Sequence, residues 1–362
     1  MRETKLHIPL VLSDRTVSIV GILAQKDLPV HPHTSSSHTY PLDPISRRTT
    51  QSRKIAIIVH GLLAHKDQTY HRLLAASLPL DSFRFDFRAN AETPGEWNMA
   101  SFDQDLVDLG ACIDYLRNQL GYVVEVIIAH SRGALDGFKF FATRLADEVD
   151  ASLRVPYYVA LSARWRMHKI HGTLRRSAAP PLSPRPLVLG RTHLTLLSRL
   201  ALFFAPCSFD RLPPADRDPI YLPAFAAEGF YRWKVKVAGQ AREVRVYPSD
   251  VDTFANFPIQ DHVARFPTQT DVLLIQGTKD QTVPVSDAGY YINALTSPPR
   301  RPGSATLHLL DDADHNYKQK YPELVHTIAH WLQQKLDDAK QGRGAGAIRD
   351  RQLAGRDVKQ RL

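Results

Sequence analysis

Cysteine is almost missing from this chain. Cys112 and Cys207 are the only two in 362 residues, so no disulfide framework is expected to staple the fold. Cys112 falls on the apolar face of an expected helix and reads as a small core residue. The opening residues Met1-Arg2-Glu3-Thr4-Lys5 lack the long apolar core of a signal peptide, and an intracellular, cytoplasmic protein is expected. Long hydrophobic runs are missing as well. The apolar stretch 194–206 is too short for a membrane span and is interrupted by Arg199, so no stable membrane insertion is expected. His31, His33 and His38 cluster in a stretch rich in Pro, His, Ser and Thr (29–53), without cysteine or carboxylate partners at ligand spacing. That stretch reads as an extended loop, and neither a metal site nor a cofactor is expected.

Acidic residues are scarce in two places. Residues 164–211 hold nine Lys or Arg and one acidic residue, and residues 339–362 hold seven basic residues against Asp350 and Asp357. The net charge of +9 therefore belongs to these two segments, and the remainder is net negative. Nucleic acid is accordingly not an expected partner. The last stretch reads as a disordered basic tail.

What is present is enough apolar sequence to bury a sizeable core, with 43% hydrophobic residues. The apolar run Val123-Val124-Glu125-Val126-Ile127-Ile128 leads into Ala129-His130-Ser131-Arg132-Gly133 and then a helix-like stretch. A serine on so sharp a strand-to-helix turn projects its hydroxyl above the sheet, beside the backbone N–H of the next residue. Ser131 is the candidate nucleophile and the Arg132 N–H a candidate oxyanion donor. A serine hydroxyl needs a histidine to take its proton and a carboxylate to orient that histidine. Two later strand exits supply them: Asp271-Val272-Leu273-Leu274-Ile275-Gln276-Gly277 is followed by a loop with Asp280, and Ala305-Thr306-Leu307-His308-Leu309-Leu310 by a loop with His315. Asp280 is the candidate acid and His315 the candidate base. Asp250 and Asp252 remain alternatives for the acid. His130 and Asp314, each adjacent to a candidate, are expected to support the loops instead. A further strand, Lys54-Ile55-Ala56-Ile57-Ile58-Val59, runs into His60-Gly61-Leu62-Leu63. Glycine there lets backbone approach a substrate, and the Leu62 N–H is the second oxyanion candidate, with the His60 side chain structural.

This chain resembles α/β-hydrolase-fold serine hydrolases, most closely the esterase-like group carrying a serine aminopeptidase S33-type domain. Serine, acid and histidine occur in that fold's order. The segment Phe83-Arg84-Phe85-Asp86-Phe87-Arg88-Ala89-Asn90-Ala91-Glu92-Thr93-Pro94-Gly95 resembles the group's Arg-Phe-Asp-x-x-Gly-x-Gly-x-Ser-x-Gly, with Ala89, Ala91 and Thr93 as departures. The resemblance spans about 55–158 and 271–331.

Independently, Phe102, Leu106, Leu109, Ile113, Leu116 and Leu120 recur at helical spacing between strands, as do Leu324, Ile328, Trp331 and Leu332 after Pro322. Strands alternating with such helices predict an α/β fold with a doubly wound, mostly parallel sheet. Two apolar runs split by Ser13-Asp14 predict an opening antiparallel hairpin, and Val235, Val237, Val244 and Val246 around Ala238-Gly239 predict another. The expected division is a core in two parts, 1–163 and 271–338, an inserted cap or lid at 164–270, and the tail 339–362. The apolar run at 194–206 reads as a lid helix, an interfacial segment or loosely packed filler. The expected activity is hydrolysis of a carboxylic ester or related acyl bond in a small-molecule substrate. Acyl transfer, peptide cleavage and a non-catalytic binding role are the alternatives, while Ser131 at the turn disfavours relatives that use aspartate there. Oligomeric state is not legible.

Overall fold

Alternating or continuous apolar runs, each closed by a polar turn, become strands wherever both faces can be covered. A computed structural model describes residues 1–26, 47–145, 153–169, 222–297 and 304–360, with side chains described as far as 352. In chain order its elements are β1 (Arg2–Val11), β2 (Thr16–Gln25), β3 (Lys54–Val59), α1 (His71–Ser77), β4 (Asp81–Phe85), α2 (Phe102–Asn118), β5 (Val123–His130), α3 (Arg132–Phe140) and β6 (Tyr157–Leu161). There follow α4 (Leu222–Glu228), β7 (Tyr231–Val237), β8 (Gln240–Val246), α5 (Pro248–Ala255), α6 (Ile259–Ala264), β9 (Asp271–Gly277), α7 (Ser286–Thr296), β10 (Ala305–Leu310), α8 (Tyr321–Lys340) and α9 (Gly344–Gln360).

Eight strands form one sheet in the order β1-β2-β4-β3-β5-β6-β9-β10. The β1–β2 hairpin and the β2–β4 pair are antiparallel, and every pair from β4 to β10 is parallel. This is the doubly wound, mostly parallel sheet that the alternation of strands and helices predicted. Successive strand residues face opposite ways. Ile55, Ile57 and Val59 therefore join a core layer with Leu109, Cys112 and Phe138, while Ala56 and Ile58 join a second layer with Tyr70, Leu74, Ile328 and Leu332. Helices α2 and α3 cover one face, and α1 and α8 the other.

The pairing of β3 with β5 slips by one residue, from Ile55↔Val124 to Ala56↔Val126. Glu125 is the extra residue of this bulge, which returns the following side chains to their proper layers. Its carboxylate is fully buried and takes Lys54 Nζ at 3.0 Å and Arg349 Nη2 at 2.7 Å. Arg349 lies on α9, in the stretch expected to be a disordered tail. Instead, Ala345, Ala347 and Arg349 are buried there, and Gly346 lies against the Tyr157 hydroxyl. The basic composition concealed a docked helix because the acid that holds it is more than two hundred residues earlier in the chain.

Of the expected cap, residues 170–221, with the apolar run at 194–206, lie outside the described residues. The second hairpin forms as β7–β8, with Tyr231↔Val246 and Val237↔Gln240 at its ends. Beyond it, Val246, Val251, Phe254, Phe257 and Phe266 enter the main core, and Phe257 stacks on Phe102 at 4.0 Å. The end of the expected insertion is thus part of the body's packing. Among the described residues, no helix is long and apolar enough to cross a membrane.

Removing one partner of a buried ion pair strands the other charge. Arg349→Met should therefore lower the unfolding free energy by about 3–5 kcal/mol, read from the urea midpoint. Adding Glu125→Leu should recover most of that loss.

Candidate active site

Parallel strands deliver their C-terminal ends to one edge of the sheet, so the loops after β3, β5, β9 and β10 meet there. At the end of β5 the chain turns directly into α3, with Ser131 at φ 55° and ψ −118°. That is an uncommon backbone conformation for a residue with a Cβ. The Ser131 N–H is anchored to the Leu161 carbonyl at 2.8 Å, and the Ser131 carbonyl accepts the Ala134 N–H at 3.0 Å. The turn needs small neighbours. A Cβ on Gly133 would lie 2.3 Å from the His60 carbonyl oxygen, and one on Gly61 would lie 3.1 Å from both the His130 carbonyl oxygen and the Ser131 Cβ. Ala129, one residue before the turn proper, pairs with Val59 and Ala160 as ordinary strand, so alanine serves there.

Ser131 Oγ lies 3.0 Å from His315 Nε2, and His315 Nδ1 lies 2.8 Å from Asp280 Oδ2. The structure thus brings together the three residues singled out at three separate strand exits. Asp280 is fixed from several sides: the N–H groups of Thr282 and Val283 donate to Oδ1 at 2.8 Å each, and Gln276 Nε2 donates to Oδ2 at 2.9 Å. Burial acts to raise its pKa. The bond to His315 and the two N–H groups outweigh burial and hold the carboxyl below the usual carboxylate range.

Arg132 is the first residue of α3, and its backbone N–H therefore has no acceptor within the helix. Its guanidinium is committed elsewhere, to Asp105 Oδ2 at 2.7 Å and Ser101 Oγ at 3.0 Å, over the Phe102 ring. The Leu62 loop packs against the same turn, since a Cβ on Gly61 would stand 3.7 Å from the Arg132 nitrogen. His60 spends both ring nitrogens structurally: Nδ1–H donates to the Gly61 carbonyl at 2.8 Å, and Nε2 accepts the Phe87 N–H at 3.1 Å.

Residues 216–339 match the prolyl oligopeptidase family, a span that includes Asp280 and His315 and leaves Ser131 outside. The Saccharomyces cerevisiae protein YDL057W is 25% identical over 284 residues, covering 74% of this chain and 70% of its own. Among solved structures, Est1E from Butyrivibrio proteoclasticus with bound ferulic acid superposes at a TM-score of 0.53 and 12% identity, covering 89% of this chain and 96% of that one. The Pyrococcus furiosus esterase Pf2001 superposes at 0.52 and 15% identity, covering 91% of each chain. The chain has an α/β-hydrolase fold.

Within that α/β-hydrolase fold the remaining candidates separate cleanly. Asp250 is engaged elsewhere: it accepts the Tyr247 N–H at 3.0 Å and the Asn98 side chain at 2.8 Å at the start of α5. Asp314 accepts the N–H groups of Asn316 and Lys318 at 3.0 and 2.9 Å, shaping the loop that carries His315. His31, His33 and His38 lie outside the described residues, and among the described residues no cluster of three or more His, Cys, Asp or Glu could hold a metal ion.

Two supports escaped sequence reasoning. Lys66, almost fully buried, donates from Nζ to Asp86 Oδ2 at 2.6 Å and from its backbone N–H to Asp86 Oδ1 at 2.7 Å, clamping the far end of the Leu62 loop. The Ser162 hydroxyl donates to the Tyr317 hydroxyl at 2.8 Å, which donates to the Ile275 carbonyl at 2.9 Å. The only sequence signal for the first was an aspartate inside an aromatic run. The second had none.

The departures at Ala89 and Ala91 are adopted without glycine, at φ 63° and 43°, and the loop is braced by Arg242 Nη2 on the Ala91 carbonyl at 3.0 Å. A left-handed alanine costs about 1 kcal/mol or more. Ala89→Gly and Ala91→Gly should each raise stability by about that much, measured by thermal or urea unfolding.

Burial lowers the pKa of His60 to about 4 and that of His130 to about 3. The unfolded chain protonates these rings near pH 6.5, so the stability tied to their neutrality is complete above that pH and is lost as pH falls towards 4. Each ring withdraws about 2 kcal/mol by pH 5. Asp108, pushed up to about 7 by burial against the opposing pull of Arg88, acts in the opposite sense. NMR of the histidine ring carbons isolates the two rings, and both should stay neutral from pH 8 to pH 5.

Proposed function

We propose that this protein is a serine hydrolase that cleaves a carboxylic ester or related acyl bond through an acyl-enzyme on Ser131. The observation that carries this reading is the continuous line Ser131 Oγ, His315 Nε2, His315 Nδ1, Asp280 Oδ2, with links of 3.0 and 2.8 Å. His315 takes the hydroxyl proton as Oγ attacks the acyl carbon, and Asp280 keeps the imidazole proton on Nδ1 so that Nε2 is free to accept. The backbone N–H groups of Leu62 and Arg132 bind the developing oxyanion. His315 then returns its proton to the leaving group. Water, deprotonated by the same ring, releases the acid and regenerates Ser131. None of these steps calls on a cofactor.

The esterases among the structural neighbours favour an ester as the substrate, and the Phe83 to Gly95 segment favours the esterase-like group with an S33-type domain. Peptide cleavage by the same three residues is the second reading, favoured by the match of 216–339 to the prolyl oligopeptidase family.

Treated with a fluorophosphonate probe, the wild type should label and Ser131→Ala should not. Hydrolysis of p-nitrophenyl esters of increasing acyl length, beside aminoacyl p-nitroanilides, separates the two readings. Ester turnover should exceed anilide turnover and fall by about 10⁴ or more in Ser131→Ala, while Asp280→Asn should lose about 10⁴ in kcat. A folded wild type that neither labels nor turns over any of these substrates would sink the proposal.

A further inference from the structure

His130, the residue immediately before the candidate nucleophile, is not needed for any step above, yet its ring is fully enclosed at the centre of the site. Its Nε2–H donates to the backbone carbonyl of His315 at 2.9 Å, and the two imidazole centroids lie 5.1 Å apart. A carbonyl can only accept, so the proton of the neutral ring must sit on Nε2. Tyr70 packs edge-on to His130 at 6.0 Å and to Tyr317 at 5.9 Å, holding the ring against the base-bearing loop.

Another group near that carbonyl is the Ser162 hydroxyl, at 3.4 Å. Its single proton is already spent. The Tyr317 hydroxyl donates to Ile275, so at 2.8 Å it must accept from Ser162. The His130 N–H is therefore the donor that holds the His315 carbonyl. The nucleophile's strand and the base's loop are tied twice: once through the side chains, Oγ to Nε2, and once through this bond, which does not change when the proton moves during reaction.

Resting on the serine-hydrolase reading, we propose that His130 is a positioning residue that sets the distance between the Ser131 hydroxyl and the His315 imidazole by clamping the base's own backbone. Without the clamp the substrate would still bind, while the proton-transfer geometry would loosen. A displacement of about 1 Å at such a contact costs on the order of a hundredfold in rate.

The test compares His130→Phe, which fills the space without a donor, with His130→Gln, whose side-chain amide nitrogen reaches the position of Nε2. Steady-state kinetics on p-nitrophenyl acetate and the fluorophosphonate labelling rate are measured per folded molecule, with folding checked by circular dichroism and melting temperature. The expected result is a kcat and a labelling rate about ten- to a hundredfold lower in His130→Phe, KM within twofold of wild type, and recovery to within about threefold in His130→Gln. Wild-type kcat in both variants would overturn the inference. So would equal losses in both variants that track a lowered melting temperature, because packing alone would then account for the residue. A wild type without activity would overturn the serine-hydrolase reading itself, an outcome visible before either variant is made.

Discussion

The backbone of Ser131, held at φ 55° and ψ −118°, is the constraint around which the rest of this structure is arranged. Such a conformation costs on the order of 1–3 kcal/mol and persists only where its surroundings over-determine it. Here they do. Strand β5 is hydrogen-bonded on both sides, to β3 and β6, and the turn is pinned to Leu161. Neighbouring backbone presses so closely that a Cβ at position 133 would overlap the His60 carbonyl oxygen, and one at position 61 would crowd the His130 carbonyl oxygen and the Ser131 Cβ. What the strain achieves is local. It turns the chain from strand to helix at one serine and leaves the Arg132 N–H at the start of that helix, without an acceptor inside it.

Buried charge is used throughout as a tie between distant segments. Lys66 joins the Leu62 loop to Asp86, Arg132 joins α3 to Asp105 on α2, and Arg349 joins α9 to Glu125 on β5. Such pairs add little net stability relative to apolar packing of the same shape, because desolvation offsets their attraction. Their value lies in geometry, since a misplaced loop would leave an uncompensated charge in the interior. Two of the three ties end at segments that supply the candidate oxyanion donors. The third closes the opposite edge of the sheet, where the strands begin.

Elements whose signal is local were legible before the fold was known. The antiparallel hairpins, the helix carrying Leu106 and Leu109, and the loops bearing Ser131, Asp280 and His315 each show within a dozen residues an apolar period followed by a polar break. The acid was less certain, since Asp250 and Asp280 both sit in polar stretches after apolar ones. Only the parallel pairing of β6 with β9 brings the loop after Gly277 to the same end of the sheet as the end of β5, one strand away, whereas Asp250 is turned to capping α5. The docked α9 was read wrongly from its charge, because composition cannot reveal that one arginine among seven basic residues has a buried carboxylate waiting for it.

By itself the sequence determined the alternation of strand and helix, hence the doubly wound sheet, and the placement of Ser131, Asp280 and His315 at three strand exits. These follow from hydrophobic period and residue chemistry, which act over one element at a time. The tertiary structure alone decided that Asp280 rather than Asp250 meets His315, where Glu125 slips the register, and that His130 bonds the backbone of His315, 185 positions further on. Those outcomes depend on distances between segments far apart in the chain, and such distances exist only once the sheet has closed its order and both of its faces are packed.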